Sequence, residues 1–375
     1  MANTPQLASI LISFLKNKII SQEEFCILIE NRDTVLSHEE QQLLLQSGFI
    51  FSNDAPSHTV RELCKETAAH VARAVYGNKI FVRGLIEFTN YCKNNCYYCG
   101  IRAGNTQAHR YRLTKKEILE SCDKGYVLGF RTFVLQGGED PFFTDDTMAD
   151  IVRCIKANHP DCAITLSVGE KEFNTYKLWK EAGADRYLLR HETANNEHYH
   201  QLHPAELSPE HRKNCLCNLK SLGYQTGAGF MVGSPYQTTA HLAEDLLYLH
   251  ELNPEMIGIG PFIHHDQTPF AKMKDGTCEE TLFLLSILRI MFPNVLLPAT
   301  TALGTIQSGG REQGILCGAN VIMPNLSPLV HRKDYLLYNN KISTGEEAAE
   351  SIALLKKNVS AIGYEIVTDR GDFKK

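Results

Sequence analysis

The chain has 375 residues, more than one small domain needs, a length that fits a single large α/β barrel with terminal extensions. Apolar residues make up 43%, charged residues 22%, and the net charge is −5 with Lys and Arg scattered, which argues against nucleic acid as a partner. No apolar run nears the ~18 residues that span a bilayer, and no cationic segment precedes the short apolar stretch Ile10–Leu15, so neither a membrane span nor a signal peptide is read and a cytoplasmic location is expected.

Residues 1–77 read as a helical extension. Ser21 with Glu24, Ser37 with Glu40 and Thr59 with Glu62 form capping boxes ahead of apolar runs, and Gly48 and Gly77 stand where helices would stop. From Lys79 the pattern turns to short β-rich runs alternating with helices. The expected strands are Phe81–Phe88, Thr132–Gln136, Ala163–Val168, Arg186–Arg190, Thr226–Met231, Met256–Gly260, Val295–Ala299 and Asn320–Met323. Helices are expected at Lys115–Leu128, Asp145–Ala157, Glu172–Ala182, Pro209–Leu222, Thr239–Leu252, Glu279–Phe292 and Arg311–Cys317. Eight strands each followed by a helix predict a (β/α)8 barrel over residues 78–325, not an open sheet. Residues 326–375 form a C-terminal extension with a helix at Glu346–Ile362.

Twelve cysteines are too few for a disulfide scaffold in a chain this long, and Cys26, Cys64, Cys122, Cys154, Cys162, Cys278 and Cys317 read as single small buried residues. Cys215 and Cys217 lie two apart on a helix and point in different directions. Cys92, Cys96 and Cys99 stand apart from these as C-x3-C-x2-C, just after the first strand, where the mouth of a barrel forms its active site. Three thiolates at this spacing can hold one 4Fe-4S cluster and leave one iron open to an outside ligand. The alternative is zinc, which would want a fourth ligand, His109 being the nearest. Tyr98 is placed to stack near an adenine or, equally, to pack.

The second strand ends in Gly137-Gly138-Glu139-Asp140-Pro141, where two glycines admit a ligand close to the backbone and a carboxylate can accept from an ammonium. It resembles the Gly-Gly-Glu element with which radical S-adenosylmethionine enzymes hold the amino group of their cofactor. Arg186 and Arg190 share one face of the fourth strand, as Thr165 and Ser167 share one of the third. If the arginines point inward they require an anion, since an unpaired buried charge is too costly; otherwise they face helices or solvent and pair there. Glu192 at the mouth suits a ribose or an amine, and Arg212 a carboxylate. Glycines at 227, 229, 258 and 260 keep further strands slim, as a cavity requires.

Together, Cys92–Gly100, Arg110-Tyr111-Arg112, Gly138–Pro141, Tyr187–Asn195, Gly258–Phe262, Ala299–Thr301, Gly309–Glu312 and Cys317–Asn325 closely resemble the HydE family of radical S-adenosylmethionine maturases of FeFe-hydrogenases, across about residues 78 to 330. The resemblance implies one 4Fe-4S cluster, S-adenosyl-L-methionine, a 5′-deoxyadenosyl radical and a cysteine-bound iron carbonyl cyanide precursor of the two-iron subcluster. It implies other maturation proteins and a one-electron donor as partners. It matches Glu192 and Arg212 to positions contacting S-adenosylmethionine, and Thr165, Arg186, Arg190, Thr300 and Thr301 to positions lining a cavity for a small anionic substrate. Some relatives hold a second cluster with three C-terminal cysteines; no cysteine follows Cys317 here, so none is expected. Biotin synthase-like or methylornithine synthase-like enzymes on a small organic anion, or a non-catalytic iron–sulfur scaffold, are the competing readings.

Overall fold

A computed structural model describes residues 3–52, 58–342 and 348–375. Its strands are β1 (Lys79–Val82), β2 (Gly84–Thr89), β3 (Thr132–Gly137), β4 (Ala163–Ser167), β5 (Arg186–Leu188), β6 (Gln225–Ala228), β7 (Met231–Val232), β8 (Met256–Ile257), β9 (Gly260–Pro261), β10 (Val321–Ile322) and β11 (Glu365–Val367). A parallel ladder runs β2-β3-β4-β5-β6-β8. It continues through parallel bridges from Met256 to Leu296 and from Pro298 to Val321, and Leu85 bridges to Asn325. The circuit of parallel pairs therefore closes on itself, and the architecture is the expected (β/α)8 barrel.

The sequence predicts one first strand where two are found. Their backbone is nonetheless one run against the last barrel strand: Phe81, Arg83 and Leu85 N–H groups donate to the Asn320, Ile322 and Pro324 carbonyls at 2.9 Å each. On its other side β1 pairs with β11 and β2 pairs with β3, so the run splits because it serves two neighbours. Likewise β7 and β9 prolong β6 and β8 and pair with each other. The seventh expected strand survives as isolated bridges at 296 and 298.

Helix starts follow local chemistry. The capping boxes at Ser21, Ser37, Thr59 and Thr114 all form, each with its Glu three residues on, and Ser208 caps Pro209–Ser221 with proline in the first turn. The N-terminal helices pack outside the barrel, Val60–Tyr76 against Cys278–Met291 and Gln22–Glu30 against Thr239–Leu252. The C-terminal helix is described from Ala348 to Ala361; its expected start at Glu346 lies outside the described residues. Of the single cysteines, Cys64, Cys122, Cys162, Cys278 and Cys317 are buried, whereas Cys26 and Cys154 are half-buried.

Candidate active site at the barrel mouth

A cavity of ≈ 340 Å³ opens at the C-terminal ends of the strands and is lined by Cys92, Cys96 and Cys99 together with Tyr98, Gly137, Gly138, Glu139, Arg190, Glu192, Arg212, Thr300 and Thr301. The cysteine loop is held from behind by Arg110, whose guanidinium donates to the carbonyls of Asn90, Ile101, Arg102 and Asn105. Its descent into the cavity depends on Gly138: a Cβ there would stand 2.1 Å from the Tyr91 carbonyl oxygen and 2.6 Å from Cys92 Cβ. Burial pushes the Cys96 thiol up to about 12 against the pull of Arg212, and raises Cys92 and Cys99 as well. Loading metal there must displace protons.

Among the described residues, no three His, Cys, Asp or Glu side chains converge closely enough to share one metal ion. A zinc site would want a fourth protein ligand beside the three cysteines, whereas a cubane binds each cysteine to a different iron. His109 does not line the cavity; it is 77% exposed and pairs with Asp334 at 3.1 Å.

The remaining mouth residues are aimed by neighbours. Glu139 accepts from the Glu170 N–H at 2.9 Å and pairs with Lys93 at 3.2 Å. A Cβ on Gly169, which has φ +77°, would fall 2.1 Å from the Glu139 carboxylate, so that residue must be glycine. Arg212 pairs with Glu170 at 2.7 Å and donates to the Arg190 carbonyl at 3.0 Å. Burial opposes its charge, but the Tyr199 hydroxyl and Glu170 keep its pKa high. Tyr98 donates its hydroxyl to His203 Nε2 at 3.1 Å, and His203 Nδ1 donates to the Tyr199 carbonyl at 3.0 Å, which fixes the imidazole tautomer.

Glu192 adopts φ +67°, uncommon for a residue with a side chain. It stands 3.0 Å from Arg190 Nη2, yet neither atom makes an aligned hydrogen bond, and Arg190 Nε and Thr300 Oγ1 also lack one. Unsatisfied donors and acceptors lining a cavity leave hydrogen-bonding capacity that a polar ligand can take up. The thiols, the glycine cradle and these orphaned groups fit a cluster, S-adenosylmethionine and an anion.

Two expected cavity residues lie elsewhere. Arg186 does face the barrel interior, but four residues below Arg190, roughly 13 Å at strand rise. It is fully buried and already satisfied by Thr132, Gln225, the Arg370 and Gly371 carbonyls and Asp372, which is 2.7 Å away. Thr165 sits beside it in register and lines a smaller cavity with Arg83. The expectation put both residues at the substrate cavity, whereas neither Thr165 nor Arg186 lines the mouth cavity. Conversely, Glu87, Tyr335, Tyr338 and Lys341 line the upper cavity and escaped sequence reading. Glu87 forms an ion pair with Lys341 and accepts from Asn325 at 2.8 Å. The glutamate interrupting the apolar run Phe81–Phe88 was the available signal.

Residues 86–249 match the family model described as the Radical SAM superfamily. The chain is 47% identical over 308 residues to the [FeFe] hydrogenase maturase subunit HydE of Thermotoga maritima, covering 82% of this chain and 88% of that protein. It is 29% identical to 3-methylornithine synthase of Methanosarcina acetivorans, over 80% and 85% of the two. Among solved structures, methylornithine synthase (PylB) superposes with TM-score 0.75 at 23% identity over 95% of this chain and 97% of that one. The maturase HydG from Carboxydothermus hydrogenoformans gives 0.73 at 18% identity over 95% and 78%. These two share the fold; the sequence match to the maturase subunit goes further, and the chain belongs to the HydE family of [FeFe] hydrogenase maturases within the radical S-adenosylmethionine superfamily.

Proposed function

We propose that this chain is a cytoplasmic radical S-adenosylmethionine enzyme of FeFe-hydrogenase maturation, acting on a cysteine-bound iron carbonyl cyanide precursor of the two-iron subcluster. The observation that carries this reading is a cavity holding three cysteines of C-x3-C-x2-C beside the Arg190–Glu192 ion pair, in a chain of this family.

Cys92, Cys96 and Cys99 hold the 4Fe-4S cluster. Gly137 and Gly138 let S-adenosylmethionine lie against the backbone, and Glu139 receives its ammonium. Tyr98, anchored by His203, flanks the adenine; Glu192 faces the ribose or amine, and Arg212 takes a carboxylate. When bound, the cluster and cofactor supply reductive cleavage of the sulfonium to a 5′-deoxyadenosyl radical. Arg190, with Thr300 and Thr301, grips the anionic end of the substrate and keeps its sulfur facing the radical source. With no cysteine after Cys317, a single cluster is expected, about four irons per chain. The partners are other maturation proteins and a one-electron donor.

The test is anaerobic reconstitution with iron and sulfide, reduction by dithionite and assay of 5′-deoxyadenosine, followed by rescue of hydrogenase activity in a strain lacking its own HydE. Turnover without rescue favours a methylornithine synthase-like activity on a small organic anion. An intact cluster without 5′-deoxyadenosine favours a scaffold.

A further inference from the structure

The outer side of the cysteine loop carries features that the cavity chemistry leaves unused. From Phe88 to Lys116 the chain has six Lys or Arg and no Asp or Glu, in a protein whose net charge is −5. Where Lys93, Arg112 and His109 meet carboxylates, these come from other segments and lie beneath them, whereas Lys115 and Lys116 pair with Asp150 and Glu120 at the exposed surface. Side-chain exposure is 60% for Lys93 over 6% for Glu139, 31% for Arg112 over 1% for Asp140, and 77% for His109 over 11% for Asp334. These three pairs turn their nitrogen donors outward. Arg102 donates to the Asn95 carbonyl at 3.4 Å instead of to a carboxylate.

At the centre of this rim is a rigid stack. The Arg112 guanidinium lies 3.8 Å from the Tyr91 ring and 4.5 Å from the Phe142 ring, and its bidentate contacts to Asp140 at 2.7 and 2.9 Å hold it there. Phe142 is 61% exposed. An exposed aromatic–arginine centre with a charged rim has the anatomy of a protein–protein contact. Tyr91 and Lys93 flank Cys92 in the chain, so the stack adjoins the cysteine loop.

We propose that this face docks an acidic one-electron-transfer protein, a low-potential iron–sulfur protein with carboxylates around its own cluster. The inference rests on the cavity being read as a radical S-adenosylmethionine site. The reduced partner loses one electron, the cluster on Cys92, Cys96 and Cys99 gains it, and no bond or proton passes between the proteins.

The experiment compares 5′-deoxyadenosine formation by holoenzyme driven by dithionite and by a reduced acidic bacterial ferredoxin. Phe142→Ala is expected to raise the apparent KM for ferredoxin about tenfold, since an exposed aromatic anchor is lost. Gln107, exposed on the same loop, supports a sign test: Gln107→Glu raises that KM about threefold and Gln107→Lys lowers it. Added salt should weaken ferredoxin-driven turnover, while all three variants keep the wild-type dithionite rate. Ferredoxin KM values unmoved by the Gln107 pair and by Phe142→Ala would overturn the docking face alone. A change in the sedimentation of the enzyme by itself, without a change in ferredoxin KM, would reassign the face to self-association. Absence of 5′-deoxyadenosine with dithionite in the wild type would instead remove the enzymatic reading beneath it.

Discussion

His203 shows how a residue outside the cysteine motif governs one inside it. Its Nε2 is the acceptor for the Tyr98 hydroxyl, its Nδ1 proton is committed to the Tyr199 carbonyl, and its ring stacks on Tyr199 at 4.0 Å. His203→Leu should raise the KM for S-adenosylmethionine about fivefold, the equivalent of one hydrogen bond of about 1 kcal/mol, with cluster content unchanged. Tyr98→Phe should do the same, and the double variant should be no worse than either single; additive losses would show that the two side chains act separately. Cys96→Ser removes one of three thiolates and should abolish both the cluster absorbance and 5′-deoxyadenosine formation. Arg190→Ala, by contrast, should preserve the cluster and impair substrate-dependent turnover, because its side chain contacts Glu192 and not a cysteine.

At the scale of elements, the C-terminal tail plugs the floor of the barrel. β11 adds to the edge of β1, and the residues after it deliver the Arg370 and Gly371 carbonyls and Asp372 to the buried Arg186. Burial pushes Asp372 upward, but hydrogen bonds from Arg370 and Gln225 and the Arg186 guanidinium hold its carboxyl well below the usual range. Its folded pKa is depressed, so its stabilisation is complete above the ordinary Asp value of 3.8 and is lost as pH falls below it. Asp372→Ala leaves a buried guanidinium without its carboxylate and should cost about 1–2 kcal/mol in chemical denaturation, below the range for a fully buried pair because Asp372 is 41% exposed and the two carbonyls still accept. Deleting residues 369–375 should cost more. The expected C-terminal helix is present, but no periodicity announced this strand and tail, whose value lies wholly in what they meet.

For the whole molecule, buried neutral histidines set an acid limit. Burial lowers His198 to about 4 and His203 to about 3 from 6.5, and their ring nitrogens are taken by Thr193, Pro235, Tyr98 and Tyr199. Below about 6.5 the unfolded chain binds protons that the native state refuses, so stability declines as pH drops toward the folded values. The melting temperature should therefore fall between pH 7.5 and 5, and a His198→Gln, His203→Gln double variant should show a smaller fall over the same interval. An equal fall in both would assign the acid sensitivity to other groups.

What the amino-acid order determined was local or periodic. Alternating strands and helices gave the barrel, Ser/Thr-x-x-Glu fixed the helix starts, and C-x3-C-x2-C with Gly-Gly-Glu put the cluster cysteines and Glu139 at one mouth, because each of these depends on residues a few positions apart. Strand alternation also put Arg186 and Arg190 on one face and left open whether that face was inward. Depth along the barrel was decided by the tertiary structure alone: the partner that satisfies Arg186 arrives from 186 residues away at Asp372, and Lys341 reaches Glu87 across 254. A buried charge can be recognised in a strand pattern, but the group that neutralises it is chosen by closure of the chain, and that closure made Arg186 part of the floor and set Arg190 beside Glu192 at the mouth cavity.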